Sequence, residues 1–204
     1  MDLESRNVKY VYENISNKFS GTRQNTWDWV DSFLDDFDSN SKICDLGCGN
    51  GRNMTKKNLN FVGVDNCSNF IKICKENGQN VIESDMVNIN IESNIFDGLI
   101  SIASFHHLST IIRRKRCLSE ISRILKKNGR CLLSVWSKNQ PAKSKRSFDF
   151  GDNFVGFIDN GSEYKRYYYI FNHKELRKLL EINFKILDHK WIFGNEIYYL
   201  ENNK

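Results

Sequence analysis

A chain of 204 residues, 40% hydrophobic and 13% aromatic, holds enough apolar material for one substantial core and too little for two ordinary domains. Lysine and arginine number 30 against 25 acidic residues, and the formal charge of +5 favours polyanionic partners without forming a dedicated nucleic-acid tail. No apolar stretch reaches the roughly 20 residues that cross a bilayer, no signal peptide opens the chain, and the six cysteines include no CxxC pair, so the expectation is a soluble cytoplasmic protein with free thiols and no metal site.

In chain order, the spacing predicts helices over 7–18 and 27–37, then a short buried strand from Lys42 to Leu46 that enters Gly47-Cys48-Gly49-Asn50-Gly51 and a following helix. A second strand is expected over 60–65, a helix over 68–77, a third strand over 80–83 and a fourth over 95–104. Cys117, Leu118, Ile121, Ile124 and Leu125 recur at helical spacing in a helix over 112–125, with Gly129 as its C-cap. A fifth strand covers 130–136. The stretch 137–171 is polar, basic around Lys143 to Arg146, and reads as an insertion over the carboxyl ends of the strands. A helix over 174–180 precedes strands over 184–191 and 196–200, which pair as an antiparallel ribbon through Gly194.

Strands alternating with helices imply an α/β fold with a mostly parallel sheet, because each right-handed crossover carries a helix. The ligand site then lies at the carboxyl ends of the strands. One domain is expected: N-terminal helices 1–40, a cofactor-binding core 41–136, a substrate-side insertion 137–171, and a C-terminal helix and strand pair 172–204.

Asp45-Leu46-Gly47-Cys48-Gly49-Asn50-Gly51 stands where the first strand turns toward its helix, and glycines there let the backbone approach a ligand closely. A dinucleotide fingerprint is GxGxxG; here the third glycine comes one residue early, and the acid two residues before the first glycine would repel a pyrophosphate. That acid suits a cationic amino group. Asp65, 20 residues on at the end of the second strand, can accept both ribose hydroxyls, with Asn66 beside it. Asp85 and Met86 after the third strand fit an adenine, the acid on its amine and the flexible side chain on its ring, and Ser104 closes the fourth strand at the same end. A ligand with a nucleoside at one end and an amino acid at the other meets these demands, which points to S-adenosylmethionine. A plain glycine turn with Asp45 as a helix cap, and NAD binding, are the alternatives.

The sequence resembles the eukaryotic tRNA wobble-uridine carboxymethyl methyltransferases, including the methyltransferase domain of the related RNA-modifying hydroxylase-methyltransferase. The resemblance runs over nearly the whole chain. It rests on residues 11–23, the glycine segment 43–51, Ser101 to Thr110 with its His-His-Leu-Ser-Thr run, 113–129, Val135 to Gln140, and Arg166-Tyr167-Tyr168 with Phe171. It implies a class I Rossmann-like methyltransferase with a seven-stranded, mostly parallel sheet and a terminal antiparallel strand. It also implies a substrate pocket lined by Arg23, His106, His107 and Arg166. Val155-Gly156-Phe157 and Tyr169 depart from the pattern, which has a proline-tryptophan pair and a histidine there. The implied partners are a tRNA anticodon loop and a small zinc-binding activator subunit that adds to the third-strand edge, where Val81, Ile82, Val87, Ile89 and Ile91 offer an apolar face. The N-terminal helices are the alternative cover for that face.

The reaction implied is transfer of a methyl group to the carboxylate of 5-carboxymethyluridine. A carboxylate is already ionised near neutrality, so positioning and electrostatics do the work. An arginine holds one carboxylate oxygen and a histidine fixes the base or the acid. Trp136, Tyr167 and Tyr168 are candidate contacts for the flipped base, and Lys143, Lys145 and Arg146 for RNA phosphates. A methyltransferase for a small-molecule or protein carboxylate, or a non-catalytic scaffold, remain alternatives.

Overall fold

The protein is described over residues 1–204 in a computed structural model. The fold is built outward from β1, Lys42–Leu46, in which every residue after Lys42 is buried, as expected for a strand covered on both faces. β2, Asn60–Asp65, and β4, Phe96–Ile102, flank it in parallel; β3, Val81–Glu83, and β5, Leu125–Trp136, lie beyond them. An antiparallel pair, β8, Phe184–Ile192, and β9, Asn195–Asn202, completes a seven-stranded sheet in the order β3-β2-β1-β4-β5-β9-β8. The order reverses at β1 and β4, so their carboxyl ends open a crevice.

Helices cover both faces. α4, Ile111–Ile124, starts where Thr110 accepts a hydrogen bond from the Arg113 amide at 3.3 Å, and it buries Cys117, Leu118, Ile121 and Ile124 completely against the sheet and α5, His173–Leu180. On the other face α2, Asp28–Asp35, packs Trp29, Val30, Phe33 and Leu34 onto Ile43, Ile100 and Leu132. Truncating a side chain such as Leu118 or Leu34 to alanine costs about 2–5 kcal/mol. The N-terminal helix, a π turn Ser5–Lys9 running into α1, Tyr10–Gly21, crosses onto α3, Ser68–Glu76. Glu13 fastens the two by accepting from the amides of Ser68 at 2.7 Å and Asn69 at 3.1 Å at the start of α3, where negative charge is favoured.

Four local expectations change. No helix follows the glycine loop, because 51–59 offers only Met54 and Leu59 as apolar residues among lysines and asparagines, too few for a buried stripe. α4 ends at Ile124 with Leu125 already extended; Asn128, at φ 58°, takes the left-handed position that Gly129 was expected to take. The insertion contains a hairpin, β6, Gly151–Asp159, and β7, Ser162–Ile170, turning at Asn160-Gly161 with φ 46° and 79°. Apolar residues on both its faces, exposed Phe154 and Ile158 and half-buried Val155 and Phe157, hide the period of two. Finally, the run 87–91 is not bare: Ile89 is buried, Val87 and Ile91 pack on the main core, and the Glu120 carboxylate of α4 accepts from the Ile89 amide at 2.7 Å. Its cover is α4, and the N-terminal helix lies on α3 instead.

Candidate active site

A cavity of about 840 Å³ lies at the carboxyl ends of β1, β2, β4 and β5, walled by the N-terminal helix, the glycine loop, and the β6–β7 and β8–β9 ribbons. Gly47 stands at φ 75°, and a Cβ built on it would lie 2.4 Å from the Ser104 Cβ. Gly49, at φ 54°, borders the cavity and a Cβ there meets only open space, so its backbone is bared to a ligand. The Gly49 amide donates to Asp65 Oδ2 at 2.8 Å and the Cys67 amide to Oδ1 at 2.9 Å. Asp65 thereby ties the loop to the end of β2, and each oxygen keeps a lone pair for a ribose hydroxyl. Burial pushes its carboxyl above the ordinary range despite those bonds.

Asp45 is wholly buried one layer behind the cavity wall, and neither carboxylate oxygen has a hydrogen-bond partner. Burial pushes its pKa up to about 7, against the opposing charge of Arg52. An uncompensated buried acid beside a bared glycine backbone and a ribose-ready carboxylate fits a ligand that brings a cation. The remaining cofactor candidates divide. Asn66, Met86 and Ser104 line the cavity, Ser104 anchored on the Leu46 carbonyl at 2.9 Å. Asn50 borders it, but its side chain donates to the Arg23 carbonyl at 2.8 Å and so fixes the end of α1. The Cys48 thiol turns away into a small cluster with Ile71, Cys74 and Val81, leaving only its backbone for a ligand. Asp85 lines the cavity already engaged, accepting from Arg113 at 2.6 Å and from the Val87 amide at 3.1 Å.

Two arginines of the cavity wall have no carboxylate partner. Arg166 on β7 is 4% exposed, borders the cavity, forms no ion pair, and leaves its Nε without a partner. Arg23, just past α1, lies over the Phe19 ring and bonds only to Thr22. Burial, together with the charges of Arg166 and Arg146, pushes its guanidinium below the ordinary value. Two such arginines without a carboxylate are chemically able to hold an anion.

The histidines separate. Ala103, left-handed at φ 54°, turns the chain after β4 into the 3-10 turn Phe105–His107. His107 lines the cavity; its Nδ1 donates to the Tyr167 carbonyl at 2.6 Å and its Nε2 accepts from the Tyr12 hydroxyl at 3.1 Å. Burial lowers its pKa to about 4, so the ring is neutral. His106 is fully buried outside the cavity wall, accepting at Nδ1 from the Trp136 amide at 3.0 Å; it is a core side chain that supports the end of β5.

Alternation along β7 explains the tyrosines. Arg166 and Tyr168 face the cavity, whereas Tyr167 points away and donates to Asp152 at 2.7 Å. Tyr168 stacks on Trp136 with ring centroids 4.2 Å apart, and the Arg146 guanidinium lies 4.5 Å from the Trp136 ring centre. Arg146 borders the cavity; Lys143 and Lys145 are exposed outside it. Tyr12, Arg52, Asn53, Arg113 and Phe193 also line the cavity and were not singled out from the sequence. Tyr12 and Arg113 carried a signal, their places in the 11–23 and 113–129 segments.

Residues 44–133 match the model of a methyltransferase domain. The chain is 32% identical to a fission yeast tRNA (carboxymethyluridine(34)-5-O)-methyltransferase over 228 aligned positions, covering all of this chain and 99% of that protein. It is 35% identical to the mouse protein of that name over 72% of this chain, and spans only 22% of the mouse protein. Among solved structures, a SAM-dependent methyltransferase of Methanosarcina mazei superposes with a TM-score of 0.71 at 16% identity, over 87% of this chain and 98% of that one, which is likeness of fold. With the glycine cradle, the ribose-ready Asp65 and the unpaired arginines at one cavity, these matches agree: the chain belongs to the S-adenosylmethionine-dependent tRNA (carboxymethyluridine(34)-5-O)-methyltransferase family.

Proposed function

We propose that the protein methylates the carboxylate of 5-carboxymethyluridine at the wobble position of tRNA, giving the methyl ester. The observation that carries the reading is one cavity that brings Asp65 and the glycine loop together with Arg23 and unpaired Arg166. When bound, S-adenosylmethionine supplies the methyl group as a sulfonium electrophile. Asp65 would hold the ribose, the Gly49 backbone would leave room for the amino-acid portion, and Met86 would cover the adenine. Arg166 holds one oxygen of the substrate carboxylate so that the other faces the methyl carbon, and Arg23 holds the second anionic group, a phosphate or the same carboxylate. His107, neutral and with both ring nitrogens engaged by Tyr167 and Tyr12, shapes the uridine pocket through the face of its ring and adds no charge that would quench the nucleophile. No general base is needed, because the acceptor is ionised at neutral pH.

Within this reading a small zinc-binding activator pairs with the free edge of β3 as part of a heterodimer. The support is the family and the open edge alone, since 87–91 is covered by α4. Six free, buried cysteines favour a reducing compartment such as the cytoplasm; no helix is long and apolar enough to cross a membrane. Mass spectrometry of nucleosides from tRNA incubated with the protein, the activator and labelled cofactor tests the function: the expected product is labelled methyl ester at the wobble uridine. Cofactor binding without label in any tRNA nucleoside, but with label in a small carboxylate, would replace the RNA substrate.

A further inference from the structure

Two tight turns of this chain have nearly the same backbone and different residues. Asn160-Gly161, between β6 and β7, stand at φ 46° and 79°; Phe193-Gly194, between β8 and β9, stand at 47° and 81°. Both central positions of such a turn need positive φ, which asparagine and glycine adopt at little cost and a bulky aromatic does not. The first turn uses the easy pair. The second places a phenylalanine where asparagine belongs, and the ring gains no burial in return, since it is 71% exposed. Neighbours hold the turn in place: Gln140 Nε2 donates to the Gly194 carbonyl at 3.1 Å and Asn195 Nδ2 to the Phe193 carbonyl at 3.3 Å. A strained residue kept by its surroundings at a cavity rim points to a role there.

Phe193 borders the cavity, whose wall also holds Trp136, Arg146 and Arg166. The aromatic residues expected to stack on a base are already engaged. Tyr168 is 2% exposed and stacked on Trp136, Trp136 lies between Tyr168 and the Arg146 guanidinium, and Tyr167 faces away. Trp27, the other exposed aromatic of the wall, lies on Trp29 at 6.1 Å. Of the aromatic rings that line the cavity, Phe193 alone has no aromatic or cationic neighbour, in a wall whose arginines attract a polyanion.

We propose that Phe193 is a stacking platform for a nucleobase of the RNA substrate, neighbouring the nucleotide that enters the cavity. This rests on the RNA reading above. A π-face on a strained, pre-positioned turn accepts any base and fixes the strand at the rim, while Arg23 and Arg166 take the reacting group. The test measures binding of an anticodon stem-loop RNA by fluorescence anisotropy for the wild type and for Phe193→Asn, Phe193→Gly and Phe193→Trp, with S-adenosylmethionine affinity and melting temperature in parallel. Asparagine and glycine suit the turn, so both variants should melt no lower than wild type and bind the cofactor unchanged, yet bind RNA about ten-fold more weakly; tryptophan should bind RNA at least as well as wild type. RNA affinities of Phe193→Asn and Phe193→Gly within two-fold of wild type would overturn the platform and leave the RNA reading standing. A wild type that binds cofactor but no RNA would overturn both.

Discussion

The Tyr12 hydroxyl donates to His107 Nε2 at 3.1 Å while His107 Nδ1 donates to the Tyr167 carbonyl at 2.6 Å, so one neutral ring joins the N-terminal helix, the turn after β4 and the hairpin strand β7. Through Tyr12, His107 and Tyr168 all three elements border the cavity. Replacing Tyr12 by phenylalanine deletes two partly buried hydrogen bonds, the one to His107 and a longer one with the Tyr168 hydroxyl at 3.4 Å, together worth about 1–2 kcal/mol. The expected outcome is a small drop in melting temperature, unchanged cofactor affinity by calorimetry, and methyl transfer slowed several-fold through kcat. A cofactor affinity that falls with activity would place Tyr12 at the other end of the site.

Arg166 carries a charge almost removed from water with no carboxylate to answer it. Its guanidinium lies 5.8, 5.2 and 5.6 Å from the Phe19, Phe157 and Tyr168 ring centres, contacts that offset only part of the cost of burying the charge, and an apolar replacement of similar volume should relieve the rest. Arg166→Met should therefore raise the melting temperature and lower kcat/KM by at least about a hundred-fold, as loss of a charge-assisted bond in the transition state implies. Lower stability together with lower activity would mean that the guanidinium has a structural partner.

His106 and His107 predict different failures. His106→Asn keeps an acceptor near the Trp136 amide, whereas His106→Ala leaves that amide unpaired and should cost about 2–3 kcal/mol. Activity per folded molecule, measured below the melting temperature of each variant, should survive in His106→Asn and fall in His107→Ala. Equal loss in both would put His106 back in the pocket.

The pH dependence has two opposing parts. His107 titrates near 4 in the fold against about 6.5 unfolded, so its contribution to stability is complete above about 6.5 and is lost as pH falls toward 4. Asp45 runs the other way: with a folded pKa raised to about 7 from 3.8, its contribution is complete below 3.8 and is lost as pH rises through 7. A cationic ligand draws Asp45 into its ionised form, so the affinity for S-adenosylmethionine should weaken about ten-fold from pH 8 to pH 6. Titration calorimetry should show that slope flattened in Asp45→Asn; an unchanged slope would assign it elsewhere.

The basic loop divides as the cavity divides it. Lys143 and Lys145 lie outside the wall, while Arg146 sits over Trp136 inside it. Neutralising both lysines should reduce the salt dependence of RNA binding, by about 0.7 in the log–log slope for each single-strand phosphate that a lysine no longer neutralises, and leave kcat intact. Arg146→Ala should lower kcat as well. An unaltered slope in the double variant would remove the lysines from the RNA path.

Much of this protein was legible in its residues. Mostly apolar runs at Lys42 to Leu46 and Phe96 to Ile102, alternating with helical segments, pointed to a parallel sheet, and the acid-glycine segment with Asp65 pointed to a nucleoside-binding loop, because those signals are local and periodic. The β6–β7 hairpin was obscured by apolar residues on both its faces, although Asn160-Gly161 marked its turn. Tertiary structure alone decided which of two adjacent histidines meets the cavity, which of two adjacent tyrosines turns away, and that Ile89 is buried by α4. Each depends on the direction in which a side chain leaves a backbone held by distant partners. A one-residue rotation in a 3-10 turn or a strand exchanges core for cavity, and no feature of the neighbouring sequence records which way it falls.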